Sequence, residues 1–140
     1  MNTQKTIRLS SKFFVGFSIF SLAYVSILSI LDPQATMNLV NIDLTNNDAI
    51  SSIRGIYGGV GITIIISLIF LLIKDLPKAL IFLALFWGSY AISRIITILV
   101  DGGLGDFGKQ WLSIESTLCI IAVTLVILYR KHITEYVAQS

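Results

Sequence analysis

Ile53 to Ile73 reads IRGIYGGVGITIIISLIFLLI, with one charge, Arg54, at its mouth and none behind it until Lys74. A helix needs about 20 apolar residues to cross a hydrocarbon core about 30 Å thick. The stretch lacks the apolar/polar alternation of a barrel strand, and in lipid every backbone group must be satisfied within the segment, so it predicts a membrane-spanning helix. Arg54 raises a second question. Guanidinium stays protonated at any accessible pH, so beside hydrocarbon it must pair, reach for the interface or serve a function.

Three similar runs lie outward from this one. Spanning helices are expected over approximately residues 13–31, 48–73, 79–100 and 111–129. The longest interruption runs only from Asp32 to Ile53, too short for a soluble domain. The fold class is therefore all-α: an integral membrane four-helix bundle forming a single transmembrane domain over residues 1–140. Composition agrees, because 55% hydrophobic and 13% charged residues with a mean hydropathy of +0.86 exceed what an ordinary soluble domain carries. The formal net charge is +2. No basic patch is available for phosphates, which excludes nucleic acid as a partner.

Basic residues set the orientation. Lys5, Arg8 and Lys12 precede the first helix, Lys74 and Lys78 flank the turn between the second and third, and Arg130 and Lys131 follow the fourth. The opposite loops hold Asp32, Asp43, Asp48, Asp101 and Asp106 against Lys109. Both termini are expected in the cytoplasm, in a multi-pass cell (inner) membrane protein. The first apolar run is too long for a typical signal peptide and no A-x-A-like site follows it, so it reads as an uncleaved helix. Asp32-Pro33 stops the first helix, Asn47-Asp48 offers a cap before the second, and Leu76-Pro77 makes a turn before the third. MNLVNIDL, Met37 to Leu44, suits either an interfacial segment or an ordinary loop.

The remaining charges fall toward the outer end. Arg54 sits at the outer start of helix two, while Arg94 and Glu115 lie roughly 9 Å and 6 Å inside the boundary at 1.5 Å per residue. An arginine inside lipid costs about 2.5 to 3.5 kcal/mol, which favours pairing Arg94 with Glu115 in the interior. Asp101 or Asp48 would then serve Arg54. Trp87, Tyr90, Arg94, Thr97 and Asp101 share a face of helix three. In helix two, Arg54, Tyr57, Gly58 and Gly61 occupy one face, and Gly55, Gly59, Thr63 and Ser67 form a small-residue stripe suited to close helix approach or a homodimer. The candidate site is thus Arg54, Tyr57, Gly58, Gly59, Trp87, Tyr90, Arg94, Asp101 and Glu115, either an outward-opening pocket or a structural ion network. Helix packing is assigned to Gly55, Gly59, Gly61, Thr63 and Ser67.

Plainer readings stand beside these. Trp111 fits the interfacial belt, YGGVG a packing contact, DGGLGDFG (Asp101 to Gly108) an outer loop, Cys119 a packing residue and His132 a solvated tail. The single cysteine permits no intramolecular disulfide, and no metal or cofactor motif is present.

The pattern R-x-x-Y-G-G at Arg54 to Gly59, G-x5-R at Gly88 to Arg94, Asp101-Gly102 and Glu115 resembles the DUF4345 family of small bacterial four-helix membrane proteins. The resemblance spans roughly Ile50 to Tyr129. It implies fold and location but no reaction, since the family carries no established activity. In general shape it is similar to DoxX-like membrane proteins, some of which accompany quinone-linked oxidation. Three functions are compatible with the residues. The leading one is a non-enzymatic module binding a lipid, a quinone-like amphiphile or a partner protein. The second is a membrane-embedded enzyme or quinone-linked oxidoreductase subunit with Glu115 as acid/base and Tyr57 or Tyr90 as donor. The third is a small proton-coupled transporter, against which the charge bias and the off-centre Glu115 count.

Overall fold

The computed structural model describes residues 3–139, with side chains described up to Lys131. The expectation for His132 lies outside the described side chains. Every regular element is a helix: α1 (Thr3–Leu31), α2 (Pro33–Asn38), α3 (Asn47–Ile53), a π-helical segment (Arg54–Val60), α4 (Gly61–Lys74), α5 (Leu76–Val100) and α6 (Asp106–Gln139). Four stretches are long and apolar enough to cross a membrane: Thr3–Leu31, Asn47–Lys74, Leu76–Val100 and Asp106–Lys131.

Two helices run well beyond their apolar cores. α1 begins at Thr3 because Lys5, Arg8 and Lys12, exposed ahead of the apolar run, are good helix formers. α6 continues past Tyr129 for the same reason. Leu76-Pro77 is no free turn: Asp75 caps α5 by accepting from the Lys78 amide at 3.2 Å, with Pro77 in the first turn, where its missing N–H is harmless. The Asp75 carboxylate also pairs with Lys78 Nζ at 2.8 Å, and that hydrogen bond holds its pKa below the ordinary value.

Asp32 ends α1 and also starts α2, accepting from the Ala35 amide with Pro33 behind it. Part of the expected MNLVNIDL segment is therefore the end of a short helix, followed by a turn in which Asn41 takes a left-handed conformation (φ 56°). Gln34 holds that turn, donating to the Ile42 carbonyl and accepting from the Leu44 amide. The cap of the next span is Asn46, whose side chain accepts from Ala49 N, one residue ahead of the expected Asn47-Asp48.

The chain divides into two compact units, one taking residues up to Val15 and from Asp75 onward, the other Gly16–Lys74. In the first unit α5 and α6 are antiparallel. Partners fall along α6 as they rise along α5: Ala84 and Gly88 meet Cys119, and Arg94 meets Glu115. In the second unit the later part of α1 runs antiparallel to the π segment and α4. Ile30 meets Arg54 and Gly58, and Ser26 meets Gly61.

That second packing depends on residues without bulk. A Cβ on Gly58 would lie 2.5 Å from Ile30 Cδ1, and one on Gly61 would collide with Ser26 Oγ and stand 3.1 Å from its Cβ. The α1 side is lined with serines; Ser18, Ser26 and Ser29 are buried on one face of the helix, the face on which Ser11 of the first unit is also buried. Ser29 Oγ bonds both the Val25 carbonyl and Thr36 Oγ1. Small polar side chains of this kind let helix backbones approach without losing all hydrogen bonding.

Candidate functional site

α5 and α6 supply the one deeply placed ion pair among the described residues. Arg94 Nε donates to Glu115 Oε2 at 2.6 Å and Nη2 donates to Oε1 at 2.8 Å, a two-pronged contact that matches the planar fork to the carboxylate. The two partners differ in access. The Glu115 side chain is 2% exposed and that of Arg94 22%, so the anion is enclosed and the accessible end of the pair is the cation.

Aromatic rings and tied hydroxyls share α5 with the arginine of this pair. Trp87 is buried with its ring edge-on to Phe86 at 5.0 Å, and Phe86 in turn meets Tyr90 at 5.1 Å. Tyr90 itself is 40% exposed, one turn from Arg94. Ser93 and Thr97 donate to carbonyls of their own helix, to Tyr90 O and Ser93 O. Trp111, on α6 a turn before Glu115, packs against Phe107 at 6.0 Å. Cys119 is a packing residue of the α5/α6 contact, its thiol donating to the Ala84 carbonyl at 3.5 Å.

The other expected site residues are placed differently. Arg54 is in no ion pair among the described residues, Asp48 of its own unit included; its Nε donates to the Ile30 carbonyl at 3.1 Å. Ile30 lies in the last turn of α1, whose carbonyls have no partner within their own helix. A guanidinium there satisfies one of them and meets the negative end of the helix dipole. Asp101 closes α5, its amide bonding the Thr97 carbonyl, and its side chain is exposed.

Within the π segment the faces divide. Tyr57 is partly exposed, Gly58 is buried against Ile30, and Gly61 at the start of α4 takes the contact with Ser26. The expected packing stripe of Gly55, Gly59, Thr63 and Ser67 is exposed. Gly55 has no heavy atom within reach of an added Cβ, and Gly59 only the carbonyl of Arg54 in its own helix. Thr63 and Ser67 bond back to the carbonyls of Gly59 and Thr63. Close packing therefore runs through Gly58 and Gly61, one face around from the stripe.

Two features escaped the sequence reading. The serine face of α1 left a signal in its spacing, since Ser11, Ser18, Ser26 and Ser29 fall on one helical face. The π segment left none that apolar periodicity could show, although such segments mark functional sites often enough to draw notice.

The family model for a domain of unknown function, DUF4345, matches residues 10–126. The chain belongs to the DUF4345 family. The match begins inside α1, well before the motifs from which the resemblance was read, and covers all four DUF4345 spans into α6. No curated protein and no solved structure matches the chain.

Proposed function

We propose that this DUF4345 protein is a non-enzymatic membrane module that binds an amphiphile, lipid or quinone-like, at the Arg94 end of the Arg94–Glu115 pair. The observation that carries the reading is the asymmetry of that pair: the carboxylate is enclosed at 2% exposure and the guanidinium is accessible at 22%. A guanidinium that did no more than balance Glu115 inside an apolar span would be expected to face the bundle interior. Here the cation is the more accessible partner, and Tyr90, one turn away, is half-exposed.

The same asymmetry weighs against acid/base or proton-coupled roles for Glu115. Its two oxygens are both engaged by the guanidinium, and a proton carrier must reach a substrate or an aqueous path. The basic residues at Lys5, Arg8, Lys12, Lys74, Lys78, Arg130 and Lys131 support cytoplasmic termini in a bacterial inner membrane; an external reporter at the C-terminus would reverse that orientation.

The test is native mass spectrometry of the protein released from nanodiscs, comparing wild type with Arg94→Ala and Glu115→Gln at matched folding. A defined adduct present in wild type and lost in Arg94→Ala is expected. Equal adducts in all three would remove the site, and a protein bound in place of a small molecule would make the surface a docking face.

A further inference from the structure

Between α1 and α3 the chain turns three apolar side chains outward. Leu39 and Ile42 are each 51% exposed and Val40 40%, whereas Pro33, Thr36 and Met37 of the preceding α2 are buried. A loop built to face water usually shows polar side chains at its tip and leaves many amides to solvent. This one does the reverse. The amides of Val40 and Ile42 both donate to the Met37 carbonyl, and that of Asn41 donates to the Asn38 carbonyl. Gln34 ties the far side: its Nε2 donates to the Ile42 carbonyl at 3.0 Å and to Asn38 Oδ1, and its Oε1 accepts from the Leu44 amide at 2.8 Å. Apolar groups outside and backbone groups satisfied within is the arrangement that a poorly hydrated layer demands.

The depth of the tip is fixed within the same unit, Gly16–Lys74. Thr36 Oγ1 lies 2.9 Å from Ser29 Oγ in a buried contact, so α2 folds back beside the last turn of α1 instead of projecting beyond it. Ser29 stands three residues before Asp32, where α1 stops, or about 4.5 Å along the axis. Arg54 reaches the Ile30 carbonyl at the same level, and a cation at the end of an apolar span belongs at the headgroup boundary. Leu39 follows Thr36 by three residues. The tip therefore leaves the helix at that boundary.

We propose that Leu39, Val40 and Ile42 form an interfacial anchor, inserted among the headgroups and upper acyl chains of the leaflet in which α1 ends, with Gln34 as the positioning residue that closes the turn. The partner is the lipid surface itself. Asp43 and Asp48 beside the tip are exposed, and no basic residue lies between Asp32 and Arg54. Attachment thus rests on apolar insertion and does not require anionic lipid. The anchor is separate from the Arg94 site and holds whether or not an amphiphile binds there.

The test places a nitroxide at Leu39→Cys or Ile42→Cys in the full chain, on a Cys119→Ser background whose hydroxyl can still donate to the Ala84 carbonyl. The protein is reconstituted in nanodiscs of phosphatidylcholine alone. Electron paramagnetic resonance compares collision with oxygen, which concentrates in hydrocarbon, against collision with a water-soluble nickel chelate. Ile27→Cys, exposed on α1, gives the hydrocarbon reference, and a free water-soluble nitroxide gives the aqueous one. Both tip labels should favour oxygen in the sense seen at Ile27, and equally so when phosphatidylglycerol replaces phosphatidylcholine. Gln34→Ala should move both labels toward the nickel reagent.

Nickel access equal to that of the free nitroxide would put the tip in water and overturn the proposal. Labels shielded from both reagents would overturn it too, by showing that protein and not lipid covers the tip. An oxygen preference confined to phosphatidylglycerol would remove the apolar basis of the anchor. Labels unmoved by Gln34→Ala would strike Gln34 from it.

Discussion

Two arginines enter this chain near the ends of apolar helices, and the protein settles them by different means. Arg94 is held by a carboxylate on the neighbouring helix through two short hydrogen bonds, with its partner enclosed. Arg54 is exposed and donates to a backbone carbonyl at the end of α1. The first arrangement joins two opposite charges away from water. The second uses a charge to finish a helix. Depth separates them: a cation near the interface can rely on solvent and a dipole end, whereas one farther inside needs a counter-charge.

The largest effect should come from breaking the deeper pair. Glu115→Ala strands a guanidinium, and Arg94→Ala strands an enclosed carboxylate; either should lose about 3 to 5 kcal/mol in unfolding experiments. Removing both together should be milder than the sum, and a double-mutant cycle showing simple additivity would mean that the two groups do not act as a pair. Next comes Gly61→Ala, whose Cβ meets Ser26 at its rigid base. Overpacking of about 1 to 3 kcal/mol should outweigh the gain in helix propensity of about 1 kcal/mol, and Ser26→Gly should rescue part of the loss.

Arg54 should matter less. Arg54→Ala is expected to lower the unfolding free energy by about 0.3 to 1 kcal/mol, the usual scale for a cation at a helix C-terminus. Lysine sharpens the contrast. Arg54→Lys can still donate to the Ile30 carbonyl and should be close to neutral in thermal unfolding, whereas Arg94→Lys loses the two-pronged fit and should be clearly destabilised. Equal effects at both positions would erase the distinction drawn between them.

The smallest effect belongs to Asp75. Its pKa is depressed by Lys78, so its contribution is present at neutral pH and is lost only as pH falls through a value below the ordinary carboxylate range. Asp75→Asn keeps an acceptor for the Lys78 amide and should flatten whatever acid-side slope the wild type shows there.

The four spans were legible because lipid demands long apolar helices, and hydropathy reports that demand directly. Helix ends were less so. Hydropathy marks where hydrocarbon stops, not where the backbone stops coiling, which is why α1 reaches back to Thr3 and α5 takes in Pro77. Arg94 and Glu115 stood out as charges well inside apolar runs with one evident partner each. Arg54 was misleading because its acceptor is a main-chain carbonyl, and every residue carries one. Of the residues that helical counting assigned to packing, Gly61 makes a close contact, joined by Gly58, while Gly55 and Gly59 meet no neighbouring helix. The intervening π segment changes the phase on which such counting relies.

That segment also amounts to a local surplus of chain. A π turn holds more residues than an α turn, so Arg54–Val60 carries length that an uninterrupted α-helix would not need. Deleting one glycine there would let the coil regularise while the flanking residues keep close to their present phase, because the wider turn already absorbs the additional residue. Deleting one residue from α4 itself would instead turn everything before it by about 100° and swing the guanidinium off the end of α1. The widened coil is therefore the place in this span where a change of length is taken up without rebuilding either half.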